Sequence, residues 1–417
     1  MLPLIRAFFG PLTRLHLHLE KVGIMHLSLL SSLQVAYPSL LHFSLGCSLT
    51  SDALLKAVSN LVMQWHRLES LSCGLLTQEA WAHIALLPTL RQLQVELPDD
   101  ILFYSTVSTK LGHLPAFNHL KSLHLFVSSL TSCTTVLRLL SSSRIETIHL
   151  RVRSGSRAPD LQNFFDTLRS RCVHHCLRSI TVSESGPWLD AGSGGRVIEI
   201  NTLRPLLAFR GLERVEINPV RCGIDLHDEA VEEFGKAWRN LRVLDLGTHY
   251  GWGHKGISLK TLVFLIDNCP RLRILNLVID GTQVKQYSLD KPGGSQGICN
   301  ETIASLIIGD SKIRKTVAQV AAFLSDILPN VEEISAWDSP DLVDRDEGRK
   351  YRKRWQEVSK LLGTFAMVRE QERIWKDDSS GDEESPPEES TEDEESDGYE
   401  YSESSDDDEE YGSDHTS

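Results

Sequence analysis

One pattern of apolar and polar positions recurs along the chain: an apolar residue, two others, a second apolar residue, one other, and a third apolar residue. It occurs at Leu12-Leu15-Leu17, Leu40-Phe43-Leu45, Leu68-Leu71-Cys73, Leu90-Leu93-Val95, Leu120-Leu123-Leu125 and Ile145-Ile148-Leu150. It returns at Leu177-Ile180-Val182, Leu212-Val215-Ile217, Leu241-Leu244-Leu246, Leu272-Leu275-Leu277 and Val331-Ile334-Ala336. The first ten copies start 22 to 35 residues apart, and the last follows after a gap of 59 that would hold a degenerate unit or a long insertion. The final two apolar positions lie two apart, which predicts a short strand with both side chains facing one way and the residue between them facing the other. That intervening column reads His16, Ser44, Ser72, Gln94, His124, His149, Thr181, Glu216, Asp245, Asn276 and Ser335. Every member is polar, although none was used to define the pattern, so the register is supported independently.

Helical patterns with start signals lie between the strands. "TSDALLKAVSNLVMQW" offers Ser51 or Asp52 as N-cap, "TQEAWAHIALLP" offers Thr77 and "DLQNFFDTLRSR" offers Asp160. "LHDEAVEEFGKAW" and "SLKTLVFLIDNC" repeat the arrangement. Pro38, Pro88, Pro270 and Pro329 each stand two places before a first apolar position, where a missing N–H stops the helix and lets the strand begin. Alternating strand and helix at this period predict an α/β leucine-rich-repeat solenoid of the ribonuclease-inhibitor-like horseshoe type. Its parallel strands would line the concave face and its helices the convex one. The predicted organisation is a solenoid over 1–340, a C-terminal capping helix over 341–376 and a disordered acidic tail over 377–417.

"NCPRLRILNL" resembles the cysteine-containing leucine-rich repeat of F-box proteins, and "AWRNLRVLDLG", "YPSLLHFSLGC" and "LPNVEEISAW" are variants of it. With the irregular repeats, the closing helix and the acidic tail, the chain resembles the fungal group of F-box-like proteins over roughly residues 4 to 376. The resemblance implies a substrate receptor of a cullin-type ubiquitin ligase, its target held by the repeats. The F-box that docks a Skp-type adaptor in that family is not expected here, because the first repeat already starts at Leu12. A Skp-type adaptor is therefore a partner only if an F-box exists outside this chain. A rival resemblance is to the Ran GTPase-activating protein, which also joins such repeats to an acidic tail. A third reading, a histone-binding or nuclear chaperone-like protein, rests on the tail alone.

Candidate chemistry is sparse. "CVHHC", Cys172 to Cys176, has zinc-like spacing, but adjacent His174 and His175 do not readily point at one ion, and Cys176 directly precedes Leu177 of a repeat. His124 and His149 fall in one column of neighbouring units, so they are expected about 5 Å apart, as a metal or pH-responsive pair or as part of a binding face. Cys269 reads as a small buried filler at the helix-to-strand joint. The glycine-rich segments lack the Gly-Lys-Ser/Thr of a phosphate loop, and no hydrolase or metalloprotease signature is present. The expectation is a binding protein, not an enzyme, without cofactor or resident metal. Its partner surface would be His16, His18, His124, Phe126, His149, Arg151, Glu216, Asp245 and Trp337, with Phe126 and Trp337 as exposed aromatic anchors.

Charge divides the chain. Residues 377 to 417 hold 20 Asp and Glu and no Lys or Arg, so of the 57 acidic residues 37 remain upstream against 43 basic ones. A body near +6 thus carries a tail near −20, and the net −14 describes neither. Such a tail cannot bury enough apolar surface to fold alone, and basic proteins are a partner class it could hold. Ser379, Ser380, Ser385, Ser390, Thr391, Ser404 and Ser405 each have an acidic residue three positions on, the context of acidophilic phosphorylation. "RKYRKR", Arg349 to Arg354, reads as a nuclear localisation or anion-binding run, or as the solvated face of the closing helix. Eight scattered cysteines and no export signal point to the cytoplasm or nucleus. No membrane partner is expected, and nucleic acid is not the expected ligand.

Overall fold

The computed structural model describes residues 12–20, 23–47, 51–112, 114–140, 144–153, 155–185, 197–220, 222–249, 251–253, 256–284, 297–339, 342 and 347–379. The chain divides into a unit spanning Met1–Arg369 and a second spanning Glu370–Ser417. The expected tail falls almost wholly outside the described residues. Of its candidate phosphorylation sites only Ser379 is described, as the last residue of a helix, and Ser380, Ser385, Ser390, Thr391, Ser404 and Ser405 are not.

The first unit opens with strand β1 (Arg14–Leu19), helix α1 (Ile24–Ala36), β2 (His42–Cys47), α2 (Asp52–Met63), β3 (Ser70–Ser72), α3 (Gln78–Ala85) and β4 (Gln92–Glu96). It continues with α4 (Ile101–Leu111), β5 (Ser122–Val127), α5 (Leu130–Leu139), β6 (Thr147–Val152), α6 (Ala158–Arg171) and β7 (Ser179–Glu184). Further on, short second strands join the units: β8 (Val197–Ile198), α7 (Ile200–Leu203), β9 (Arg214–Asn218), β10 (Gly223–Ile224), α8 (Asp228–Ala237), β11 (Val243–Leu246) and β12 (Ile257–Ser258). The series ends with α9 (Leu259–Asn268), β13 (Ile274–Asn276), β14 (Ile279–Gly281), β15 (Ser305–Ile307), β16 (Lys312–Ile313), α10 (Val317–Ile327), β17 (Glu333–Ser335) and α11 (Gly348–Ser379). Among the described residues, no helix is long and apolar enough to cross a membrane.

Twelve strands form one parallel sheet in chain order, β1-β2-β3-β4-β5-β6-β7-β9-β11-β13-β15-β17. The register is the one the apolar pattern predicts, with Leu123, Ile148, Ile180 and Val215 aligned across successive strands. These inward residues are essentially inaccessible to solvent, and so are the first apolar positions that precede them, such as Leu120, Ile145, Leu177 and Leu212. Burying each such side chain contributes roughly 1.5–3 kcal/mol, and each depends on the neighbouring unit to cover it.

The 59-residue gap holds a twelfth unit. Ile303, Leu306 and Ile308 have the same spacing, 31 residues after Leu272 and 28 before Val331, and β15 pairs β13 on one side and β17 on the other. Its intervening residue is Ile307, which is 41 % exposed and breaks the all-polar column. Asn300 secures this unit: its amide donates to Leu272 O (2.9 Å), while its Oδ1 accepts from the Thr302 and Ile303 N–H groups.

Caps form where expected at Ser51, which accepts from Leu54 N–H, and at Thr77, which accepts from Ala80 N–H. Asp160 differs. The α6 helix begins earlier, with Pro159 in its first turn, and Asp160 is its third residue, its carboxylate reaching back to the Arg157 N–H (3.3 Å). Proline fits the first turn because no intrahelical acceptor is needed there.

Trp337 is not the exposed anchor expected. It is 3 % exposed, donates its indole N–H to Ser311 O (2.8 Å) and stacks on Tyr351 of α11 (5.4 Å). Trp355 of α11 donates to the same carbonyl (2.9 Å), using its second lone pair. The closing helix thus locks onto the last strands through two indoles and one oxygen. Trp355→Ala should cost about 3–5 kcal/mol by urea denaturation, from lost volume plus a vacated acceptor. Trp355→Phe, which retains most of the apolar volume, should cost less.

Candidate functional site

In-register parallel strands bring equivalent side chains to neighbouring positions about 4.8 Å apart. On the outward face of the sheet this aligns Gln94, His124, His149, Thr181, Glu216, Asp245 and Asn276 in one row. His124 and His149 stack, with ring centroids 5.3 Å apart and planes inclined by 24°. Both are half-buried, and burial lowers the pKa of each; the nearby His124 and Arg151 cations lower His149 further, while Glu216 opposes this. Neutral imidazoles are therefore favoured over the charged form.

The next row outward contains Glu96, Phe126, Arg151 and Ser183. The Arg151 guanidinium lies over the Phe126 ring, 5.4 Å from its centroid, a cation–π contact. Beside it Arg153 pairs with Glu96 at 2.7 Å. Two strands further on the surface becomes acidic: Glu216 accepts from Thr181 Oγ1 (2.9 Å) and from Arg214, and Asp245 accepts from Asn218 Nδ2 (3.2 Å). Burial pushes the Asp245 carboxyl up, and the neighbouring Glu216 charge acts in the same direction. On the other side of the histidines lies a polar depression lined by Ser70, Ser72, Gln92, Gln94, Ser122 and His124.

The structure therefore assembles His124, Phe126, His149 and Arg151 on β5 and β6, with Glu216 one strand and Asp245 two strands beyond β7. His16 and His18 are exposed but lie on β1, separated from this cluster by three strands. Trp337 belongs to the core. Thr181 and Asn276, members of the outward row, are themselves largely covered, so the row is not uniformly open to solvent.

A second feature runs along the strand entrances, at the residue following each first apolar position. Lys121 pairs with Glu146 (2.8 Å), and Glu213 is held by both Arg178 (2.7 Å) and Arg242 (3.4 Å). These exposed contacts add little stability individually, about 0–1 kcal/mol each. The signal was present in the sequence as Lys121, Glu146, Arg178, Glu213 and Arg242 at one repeat position, but a search on apolar positions passes over it.

Other candidates resolve into structural roles. Cys172 is buried at the end of α6, and His174 turns to the Arg169 carbonyl (2.8 Å) and the edge of Phe209. Cys269 is fully buried, its thiol contacts Trp238 O (3.4 Å), and burial pushes its pKa up to about 12. Within "RKYRKR", Arg352 pairs with Asp338 (2.8 Å) and Arg354 donates to Ile313 O (2.8 Å), leaving Arg349, Lys350 and Lys353 on the exposed side of α11. Among the described residues, no group of three or more His, Cys, Asp or Glu side chains is placed to hold a metal ion.

No protein-family model matches the chain, and no curated protein matches it.

The histidine pair makes a pH prediction. The unfolded histidines titrate near 6.5, and the folded ones lower. Their contribution to stability is therefore complete above about pH 6.5 and is lost as pH falls through the folded values. Imidazole NMR titration should place both below the ordinary value, and His124→Gln should move His149 upward by removing a neighbouring cation.

Proposed function

We propose that the protein is a leucine-rich-repeat scaffold that binds a protein partner on the outward face of its parallel sheet. On this reading the twelve strand-led units are a solenoid and the outward row lies on its concave side. The recurring apolar pattern, strand order equal to chain order and, among the described residues, helices between successive sheet strands except β13 and β15 support it. The observation that carries the binding role is the cluster on β5 and β6: two stacked imidazoles beside an arginine laid over a phenylalanine. Aromatic rings and arginine are the residues that dominate protein interfaces, and strands hold them with little conformational freedom left to lose. Glu216 and Asp245 supply an acidic flank that selects for orientation and charge.

The partner's identity as a ubiquitylation target follows from the resemblance of "NCPRLRILNL" and its variants to F-box repeat proteins. In that role the chain is a substrate receptor in the cytoplasm or nucleus, and a Skp-type adaptor would enter through an F-box supplied outside it. The chain itself performs no covalent step.

A photo-crosslinking residue at position 126 tests the reading in cells. A discrete protein adduct that carries ubiquitin and accumulates on proteasome inhibition is the expected outcome. With that partner purified, Phe126→Ala and Arg151→Ala should each weaken binding roughly tenfold or more. Stimulated GTP hydrolysis by a crosslinked small GTPase would instead establish the GTPase-regulator alternative.

A further inference from the structure

The two ends of the twelve-stranded sheet are finished differently. At the β17 end, Ile334 N–H donates to Ser359 Oγ of α11, which in turn donates to Glu332 O, and Trp355, Val358 and Leu362 are buried. At the other end, β1 pairs only with β2 among the described residues. Its inward Leu15 and Leu17 are only half-buried, whereas the aligned Phe43 and Leu45 are covered. Helix α1 of the same unit exposes Ile24 (83 %), Met25 (72 %) and Val35 (64 %).

The open edge has a defined hydrogen-bonding pattern. His42 N–H donates to Thr13 O (3.0 Å), so the odd-numbered residues of β1 direct their backbone groups to β2. Those of Arg14, His16 and His18 point the other way and meet no other strand among the described residues, along a strand without proline, lysine or bulge to block one.

The sequence of this edge is self-complementary. Arg14-Leu15-His16-Leu17-His18-Leu19-Glu20 reads symmetrically about Leu17, with histidines one step out, leucines two steps out and opposite charges three steps out. In an antiparallel pair centred on Leu17, His16 faces His18 of the other strand as a hydrogen-bonded pair, which matches the residues whose backbone groups point outward. Leu15 faces Leu19 on the inward side, Leu17 faces its own counterpart, and Arg14 stands opposite Glu20 at both ends. Registers centred one residue either way lose the Arg14–Glu20 match.

We propose that β1 pairs antiparallel with β1 of a second copy of this chain, about a two-fold axis at Leu17, making one continuous sheet across the dimer. The interface is isologous, closes on itself and removes the open edge. It brings the two α1 helices together, covering the apolar residues each exposes, and it completes the burial of Leu15 and Leu17. His16 and His18 thereby belong to self-association, separate from the partner face on β5 and β6. The inference does not rest on the partner reading.

Sedimentation equilibrium of the full chain at micromolar concentration tests this. The wild type is expected to be a dimer. Arg14→Glu and Glu20→Arg each place like charges opposite one another twice, and should each weaken the homodimer roughly tenfold or more. An equimolar mixture of the two variants restores both opposite-charge pairs and should recover the dimer as a heterodimer. Circular dichroism and thermal unfolding of each variant confirm that the fold is retained. A monomeric wild type, a dimer indifferent to both substitutions, or a mixture that fails to reassociate while both variants remain folded would overturn the proposal.

Discussion

No strand-and-helix unit in this chain can bury its own apolar face, and the rest of the structure follows from that constraint. The inward side chain of one strand is covered by the equivalent residue on the next, as Ile148 lies between Leu123 and Ile180. The units must stay in register for these contacts to be satisfied. The constraint also makes the two outermost units of the sheet special, because among the described residues each has a strand neighbour on one side only. At one end α11 replaces the missing unit, with Trp337 and Trp355 anchored on the Ser311 carbonyl. At the other, half-covered leucines and an exposed apolar helix face remain.

Because the inward columns carry the fold, the outward columns are free to vary in chemistry from strand to strand. The same register that aligns leucines therefore aligns imidazoles, hydroxyls and carboxylates on the opposite face, and their order is a physical sequence of environments. The histidines of β5 and β6 are shielded enough to favour their neutral form, while Asp245, three strands beyond β6, is shielded enough to resist ionisation. On the proposed binding role, a partner would encounter a cation held over an aromatic ring on one side and carboxylates on the other. Such a gradient discriminates by orientation as well as by charge.

Much of this was legible in the chain. The period-two alternation within each unit specifies the strand register, and the column containing His124 and His149 places the two rings side by side, as they are found. Other features are hidden in the sequence for physical reasons. The unit at Ile303-Leu306-Ile308 follows a long interruption, lacks the proline or cysteine joint of its neighbours, and substitutes an apolar residue in the outward row. Trp337 continues a strand pattern locally, but the covering surface comes from Tyr351, on a helix that starts beyond it in sequence. Residue spacing encodes what neighbouring strands do; it does not encode which distant helix folds back over the last of them. The ladder of charges at the strand entrances was hidden for the opposite reason, since it lies outside the apolar positions from which the register is read.

The position of the cluster within the sheet also matters to its use. A binding surface is effective when its side chains are held before the partner arrives, because any ordering left to do reduces affinity. His124, Phe126, His149 and Arg151 sit on strands with hydrogen-bonded neighbours on both sides, and each contacts its counterpart across one strand spacing. The stacked and cation–π contacts therefore exist in the free protein and fix the rotamers of all four residues together. A one-residue slip of either strand would send both the rings and the guanidinium to the wrong face while exposing leucines, a loss far larger than any gain from flexibility. The energy that secures the fold is thus also what preorganises the site, and β1, with one strand neighbour among the described residues, does not offer the same rigidity.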